Sequence, residues 1–432
     1  MSEFALFLPC AAGVEDYLLA EVQGLAGAQQ AHSLVRLRGG VRVRGDWALV
    51  LRLNLWSRLA QHVLIELARA PYQTEGDLYD LAVHVPWEHW FSPRETFRVD
   101  VTAHASPLRS LQFAALRVKD ALADRFRANA GGVRPSVDTH RPDVAVRVHL
   151  TATEATLYLD TSGAPLFKRG WRFDKGAAPL KETLAAAMLA ASGWWNPATR
   201  QVAALPLYDP CCGSGTIVIE AAQLAMGMAA GGERHFAFER LRPHDGTLWA
   251  QAKGEARAAA GAQPDAAAGV RIFGSDVAHR MVDFAEHNAQ RAGVERMLQL
   301  RGGDALQRLP PCAAPGVIVM NPPYGERIAV AGVAAAGRAR PGREGFGRPS
   351  SEADVAGAAG ADDRGDAFFR LLSTHWKLHY DGWTAWLLSP DAQLPGRLRL
   401  KASRRVPLWN GPIECRLLRF DIQARRERPI GD

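Results

Sequence analysis

Apolar positions change period several times along the chain, and each change predicts an element. Between Val14 and Leu25 they fall at Tyr17, Leu18, Val22 and Leu25, the spacing of a helix with one buried face. The stretch VRVRGDWALVLRLNLWSRLAQHVLIELA alternates as a strand, runs on as a helix and returns to a strand. TFRVDVTAH, Thr96 to His104, alternates cleanly. Leu111, Ala115, Val118, Leu122 and Phe126 then share one helical face before Gly131 and Gly132 stop it, and VAVRVHLTATEATLYLDTSG reads as a hairpin. To about Asp160 the pattern is mixed α+β without a cofactor motif, which suits a binding module.

From about Leu205 the period becomes strand–loop–helix. LPLYDP, RIFGSD, GVIVM and GWTAWLLS read as short buried strands. TIVIEAAQLAM, RMVDFAEHNAQRAG and AFFRLLSTHWKLH read as helices between them. Strands alternating with helices predict a parallel, doubly wound α/β sheet. Two segments stand apart. Gly227 to Gly269 is rich in Ala, Gly and charge, with a helix expected over GTLWAQAKGEARAAA, and Ile328 to Asp366 is low in complexity and reads as a flexible insertion. The expected division is 1–55, 56–160, a connecting segment and helix over 161–204, and a second α/β domain over 205–425.

Composition narrows the class. The 432 residues are 47% hydrophobic, but no apolar run reaches eighteen residues, so no membrane partner is expected. No basic leader precedes an apolar core at the N-terminus, and five cysteines do not make a disulfide framework; both fit a reducing, cytoplasmic setting. The net charge of +7 is compatible with a nucleic-acid partner without requiring one. Residues 396–432 hold ten Arg and Lys against four Asp and Glu, a basic excess equally suited to a solvated face.

Candidate chemistry gathers at the predicted strand ends. In YDPCCGSGT, Gly213 and Gly215 permit a tight turn, Asp209 can direct a carboxylate into a crevice, and the helix from Thr216 offers free N–H groups. Val218 stands where a dinucleotide fingerprint has its third glycine, which disfavours a pyrophosphate and leaves an amino-acid-bearing ligand open. Asp276 ends the next strand, where a carboxylate can accept from ribose hydroxyls, and Asp304 lies in a further loop that could meet an adenine edge. Either aspartate alone is also an ordinary cap or turn residue. Asn321, Pro322, Pro323 and Tyr324 follow the strand GVIVM. Proline cannot continue a sheet ladder, and it restricts the residue before it, so a stiff corner is expected at the carboxyl end of the strand. Upstream, Lys168, Arg169, Arg172 and Lys175 alternate with Phe167, Trp171 and Phe173. Such a run can meet phosphates and bases, or its aromatics can pack on a neighbouring domain. Cys211 and Cys212 have no companions at zinc spacing, so no metal is expected, and they read as small residues lining the loop.

DPCCGSGT and NPPY in this order resemble the class I S-adenosylmethionine-dependent methyltransferases that methylate amino groups. The resemblance implies a Rossmann-like domain with S-adenosylmethionine held by Asp209, Pro210, Cys211, Gly213, Gly215, Asp276 and Asp304. It implies catalysis by Asn321, Pro322, Pro323 and Tyr324. Two acceptors, the Asn321 side-chain oxygen and the Pro322 carbonyl, would orient an amino nitrogen toward the methyl group, and Tyr324 would stack on an unstacked base. LNLWSRLAQHVLIEL, RPSVDTHRPDVAVRVHL, LYLDTSGAPLFKRGWR and APLKETLAAAMLAASGW resemble the ferredoxin-like and THUMP module of bacterial RNA methyltransferases acting on guanine N2 in 23S ribosomal RNA. That resemblance implies RNA as the partner, with Lys168, Arg169, Arg172 and Lys175 as RNA contacts and a monomer as the favoured state. Some members carry a second methyltransferase domain, which this sequence is expected to lack, and the Ile328–Asp366 insertion is longer than the family pattern. A different amino target (tRNA guanine, adenine N6 or a protein glutamine) and a non-enzymatic RNA-binding role remain alternatives.

Overall fold

The computed structural model describes residues 3–27, 33–176, 179–261, 271–322 and 367–423. The first elements are β1 (Phe4–Pro9), α1 (Glu15–Ala26), β2 (Val35–Leu37), β3 (Gly40–Gly45), α2 (Trp47–Trp56), β4 (Leu64–Pro71), α3 (Glu75–Val83), β5 (Phe97–Ala103), α4 (Leu111–Asn129), β6 (Val144–Leu150) and β7 (Glu154–Asp160). After them come α5 (Glu182–Ala191), β8 (Leu207–Asp209), α6 (Thr216–Ala225), α7 (Gly246–Gly261), β9 (Ile272–Asp276), α8 (His279–Arg291), β10 (Leu298–Gly302) and β11 (Val317–Met320). A helix over 367–379, then β12 (Thr384–Ser389), a short helix (Leu394–Leu398), β13 (Arg404–Asn410) and β14 (Ile413–Asp421), complete the described chain. Two compact units result: Met1–Gly170 with Pro197–Thr199 and Met228–Ala262, and Trp171–Asn196 with Arg200–Gly227 and Gln263–Asp432.

The first unit is built on one seven-stranded sheet, ordered β2-β3-β1-β4-β7-β6-β5. β1 pairs antiparallel with both β3 and β4, and β4 pairs with β7, so the two modules expected over 1–55 and 56–160 share a single sheet. Three of its helices, α2, α3 and α4, start on side-chain caps. Asp46 accepts from the Leu49 N–H at 3.0 Å, Thr74 and Asp77 form a reciprocal capping box, and Ser110 accepts from Phe113 N–H. Asp160 ends β7 with no exposure, against His62 Nδ1 at 2.9 Å and Arg147 Nη2 at 2.7 Å. Burial alone would raise its carboxyl, but the bonds from His62 and Arg147 hold it below its ordinary value. The following Thr161 and Ser162 hydroxyls bond the buried Asn54 amide, fixing the exit of β7 onto α2.

Residues 228–262 interrupt the second α/β domain in sequence and pack in the first unit. Gly231 N–H donates to Leu55 O at 2.8 Å and Phe238 N–H to Thr161 O at 2.9 Å. A Cβ on Gly231 would lie 2.8 Å from the Asn54 carbonyl oxygen, so only glycine permits this approach. The helix expected in this segment is α7.

The second unit holds a sheet ordered β10-β9-β8-β11-β12-β14-β13. β10 to β12 are parallel, as the strand–helix alternation predicts. β14 runs antiparallel to β12, and β13 pairs antiparallel with β14. β13 and β14, which the strand–helix alternation did not include, form this antiparallel edge because no helix separates them, and a two-residue turn can join only antiparallel neighbours. All ten residues of α5 are buried, consistent with its ETLAAAMLAA sequence, which is apolar nearly all round. Tyr208, Ile318, Met320, Phe368, Leu372, Trp376, Tyr380 and Trp383 join in one core cluster against the sheet. Among the described residues no helix is long and apolar enough to cross a membrane. The Ile328–Asp366 insertion lies outside the described residues.

Candidate active site at the strand ends of the second unit

β9, β8 and β11 lie side by side and parallel, so their carboxyl ends open on one edge of the sheet. Asp209 pairs in register with Gly274 and Tyr208 with Ile318. Asp276 therefore stands two residues beyond the Asp209 level on one side, and Asn321 follows β11 on the other. The strand ends bring together Asp209, the loop to Thr216, Asp276 and the Asn321–Pro322 corner. Asn321 is half-buried and Pro322 buried. Pro323 and Tyr324 lie outside the described residues.

The glycine loop is fastened to β9 by its main chain. Gly213 N–H donates to Asp276 Oδ2 at 3.0 Å, and Cys212 N–H donates to Ser275 O at 2.9 Å. Asp276 Oδ1 also accepts from Ala278 N–H, and Asp209 Oδ1 accepts from Cys211 N–H at 3.1 Å. Both glycines are left-handed, with φ of 53° at Gly213 and 86° at Gly215. They serve different ends. A Cβ at Gly213 would meet nothing within 4 Å, whereas at Gly215 it would lie 3.0 Å from Ala285 Cβ, so Gly215 lets α8 approach while Gly213 leaves open space. Asp304 Oδ1 accepts from Leu306 N–H two residues on, at 2.9 Å, a turn role.

The site's electrostatics follow from burial. Asp209 is 2% exposed and its carboxyl is pushed up to about 8, by desolvation first and by the nearby Asp276 charge. Desolvation likewise raises Asp276. Cys211 and Cys212 are raised well above the ordinary thiol range by the same burial and by these carboxylates, so neither supplies a thiolate. Among the described residues no group of His, Cys, Asp and Glu could hold a metal. Pro210 is buried between Asp209 and the loop.

Family comparisons divide the chain in three. Residues 5–64 match the RlmL ferredoxin-like domain, 72–160 the THUMP domain and 169–335 the RMKL-like methyltransferase domain. The chain carries a ferredoxin-like and THUMP module followed by a methyltransferase domain of Rossmann-like fold. Among curated relatives, the ribosomal RNA large subunit methyltransferases K/L of Psychromonas ingrahamii and Methylococcus capsulatus are 34% and 36% identical over 97% and 96% of this chain. The chain spans about half the length of these relatives, 50% of each. Among solved structures, a protein crystallised in complex with SAH has a TM-score of 0.78 at 25% identity, covering 99% of this chain and 100% of that one. A protein described as a predicted N6-adenine-specific DNA methylase, from Listeria monocytogenes, also scores 0.78, at 27% identity and with coverage of 98% and 97%.

The methyltransferase match begins at 169, close to the start of the second unit at Trp171. Two of the four basic residues expected to meet RNA are engaged inside the protein instead. Arg169 is 3% exposed and donates to Leu166 O at 2.7 Å and Arg58 O at 2.8 Å. Arg172 reaches Glu182 at 3.1 Å, Leu180 O and Thr216 Oγ1. The alternation with aromatics did not distinguish a solvated cation from one that seals a domain core. Lys168 and Lys175 are exposed, as is Phe173 at 73%. Sequence reasoning also missed Asn288, which sits in α8 on the same face as Val282, Ala285 and Ala289 and is fully buried. A polar residue on an otherwise apolar stripe was the available signal.

Proposed function

We propose that this chain transfers a methyl group from S-adenosylmethionine to the exocyclic N2 amino group of a guanine in RNA, with 23S ribosomal RNA as the substrate. The observation carrying this reading is the adjacency of three strand ends: Asp276 on β9, the glycine loop after β8 and the Asn321–Pro322 corner after β11. The loop residues fit the cofactor. Gly213 presents backbone without a side chain, the N-terminus of α6 follows directly, and a buried Asp209 carboxyl near neutrality would be relieved by a cationic ligand. Asp276 has a carboxylate at the second strand end for ribose hydroxyls, and the SAH-bound structural neighbour supports this choice of cofactor.

The bound cofactor supplies an electrophilic methyl group; the chain's own residues position the acceptor. An exocyclic amino group shares its lone pair with the ring and is a weak nucleophile. The Asn321 side-chain oxygen and the Pro322 carbonyl would each accept one of its N–H bonds. They would aim the nitrogen and favour the positive charge it develops. The amino proton becomes acidic as the carbon–nitrogen bond forms, so no strong base is needed before attack. RNA as the substrate class is supported by the THUMP match and by the names of the curated relatives.

The test incubates the protein with 23S RNA from cells lacking this activity and methyl-labelled S-adenosylmethionine, followed by nucleoside analysis. The reading expects N2-methylguanosine. N6-methyladenosine as the product would replace it with the adenine reading that the Listeria neighbour's description suggests. RNA binding without any methyl transfer would leave the non-enzymatic alternative.

A further inference from the structure

The segment that joins β7 to the second unit's helices does more than span a gap. Within the second unit, one side chain touches both this connector and the glycine loop. Asn288 Nδ2 donates to Ser214 O at 3.0 Å and to Asp174 O at 2.8 Å. Its Oδ1 accepts from Arg291 Nη2 at 2.6 Å and lies 3.4 Å from the Asp174 main-chain N–H. A guanidinium and a main-chain N–H can only donate, so the oxygen must face them and the NH2 must face the two carbonyls. All four contacts agree on one orientation, and the carboxamide has no exposure.

The surrounding contacts hold that orientation. Arg291 Nε donates to Trp171 O at 3.0 Å and Nη2 to Asp174 Oδ2 at 2.5 Å, and its guanidinium lies 5.3 Å over the Phe173 ring. On the far side of the loop, Arg172 Nη2 donates to the Thr216 hydroxyl at 2.8 Å while its other nitrogens reach Leu180 O and Glu182. The loop is thus gripped at Ser214 and at Thr216, on either side of Gly215, by groups belonging to or carrying the connector. Gly215 is left-handed, and a loop with such freedom keeps one shape only when its neighbours impose it.

We propose that Asn288 is a positioning residue: it ties Trp171–Asp174 to the main chain of the glycine loop and so sets the loop for its cofactor. Arg291 aims the Asn288 amide, and Arg172 is the second tie. This deepens the proposed function and rests on the reading that the Asp209–Thr216 loop holds S-adenosylmethionine.

The experiment uses the full chain with Asn288→Ala and, since a third of the Arg291 side chain is exposed and its loss spares the core, Arg291→Ala. Hydrogen exchange without ligand reads the loop itself. Asn288→Ala should speed exchange at Gly213–Thr216 about tenfold or more, with the β9 and β12 amides unchanged. Calorimetry with S-adenosylhomocysteine should show about tenfold weaker binding. Turnover should show a raised KM for S-adenosylmethionine, with kcat within about threefold and the RNA KM unmoved. Arg291→Ala should move the same quantities in the same direction by a smaller factor. Unchanged loop exchange and ligand affinity in a folded variant overturn the proposal, as does uniform acceleration across the second unit, which would mark a merely structural residue. A loop that loosens in Asn288→Ala while the unaltered protein fails to bind S-adenosylhomocysteine keeps the positioning role and sinks the cofactor reading instead.

Discussion

The Gly213 main-chain N–H donates to the Asp276 carboxylate at 3.0 Å, so the loop after one strand is held by the acid that ends the next. The same carboxylate also takes the Ala278 N–H at 2.9 Å, which fixes its plane. Asp276 therefore shapes the loop as well as presenting oxygens to a ligand. Asp276→Ala should weaken S-adenosylhomocysteine binding by at least tenfold, the loss of a charge-assisted hydrogen bond worth about 1.5–3 kcal/mol. Asp276→Asn keeps one acceptor and should fall between. Calorimetry on the three proteins checks the order; equal affinities would separate Asp276 from the site.

Asp209 gives the site a pH dependence. Its carboxyl rests near 8 in the fold against 3.8 for an ordinary aspartate, chiefly through burial. Between these values the native chain keeps a proton that the unfolded chain has lost, so this group lowers stability as pH rises through that window. A cationic cofactor favours the ionised form, so binding should release a proton and tighten from about pH 6 to 8. Titrations in buffers of different ionisation enthalpy would reveal the proton. Asp209→Asn should flatten the profile and abolish the release.

Much of the second unit was legible because its physics is local. Buried strands such as VIVM and the helix from Thr216 announce themselves by period, and glycine and proline mark their ends. Asp209, Gly213, Gly215, Asp276 and Asn321 stand at strand ends, which the alternation alone locates. What escaped depends on contacts distant in sequence. The pairing of β4 with both β1 and β7 merges two expected modules into one sheet, and nothing in either strand's own pattern shows it. The return of 228–262 to the first unit rests on Arg234, Gly231 and Phe238 bonding to carbonyls 66 or more residues away. Arg169 and Arg172 misled for the same reason: a buried arginine and a phosphate-binding arginine look alike until their partners are known.

That difference between cations is testable. Arg169 satisfies two buried carbonyls, so Arg169→Ala should lower stability by about 2–4 kcal/mol, read by denaturant unfolding. RNA affinity of the folded fraction should stay within about twofold. Lys168 and Lys175 are exposed, and each Ala variant should instead leave stability within about 0.5 kcal/mol while reducing the salt slope of RNA binding by about one. A salt slope that moves with Arg169 and not with the lysines would reverse these assignments.

Asn321 tests the chemistry itself. It follows β11, half-buried, beside a buried Pro322 whose ring fixes the direction of the corner. The loop that would hold the cofactor lies on β8 and is fastened to β9, so removing the Asn321 amide should leave cofactor affinity within about twofold. Methyl transfer should fall about a hundredfold or more, the usual cost of losing one aimed group at a developing charge. The split between the two readouts is what matters. Single-turnover transfer on RNA, with calorimetry on S-adenosylhomocysteine alongside, measures both in Asn321→Ala. Collapse of cofactor affinity with transfer falling only in proportion would place Asn321 in the cofactor site and leave the amino group without its side-chain acceptor.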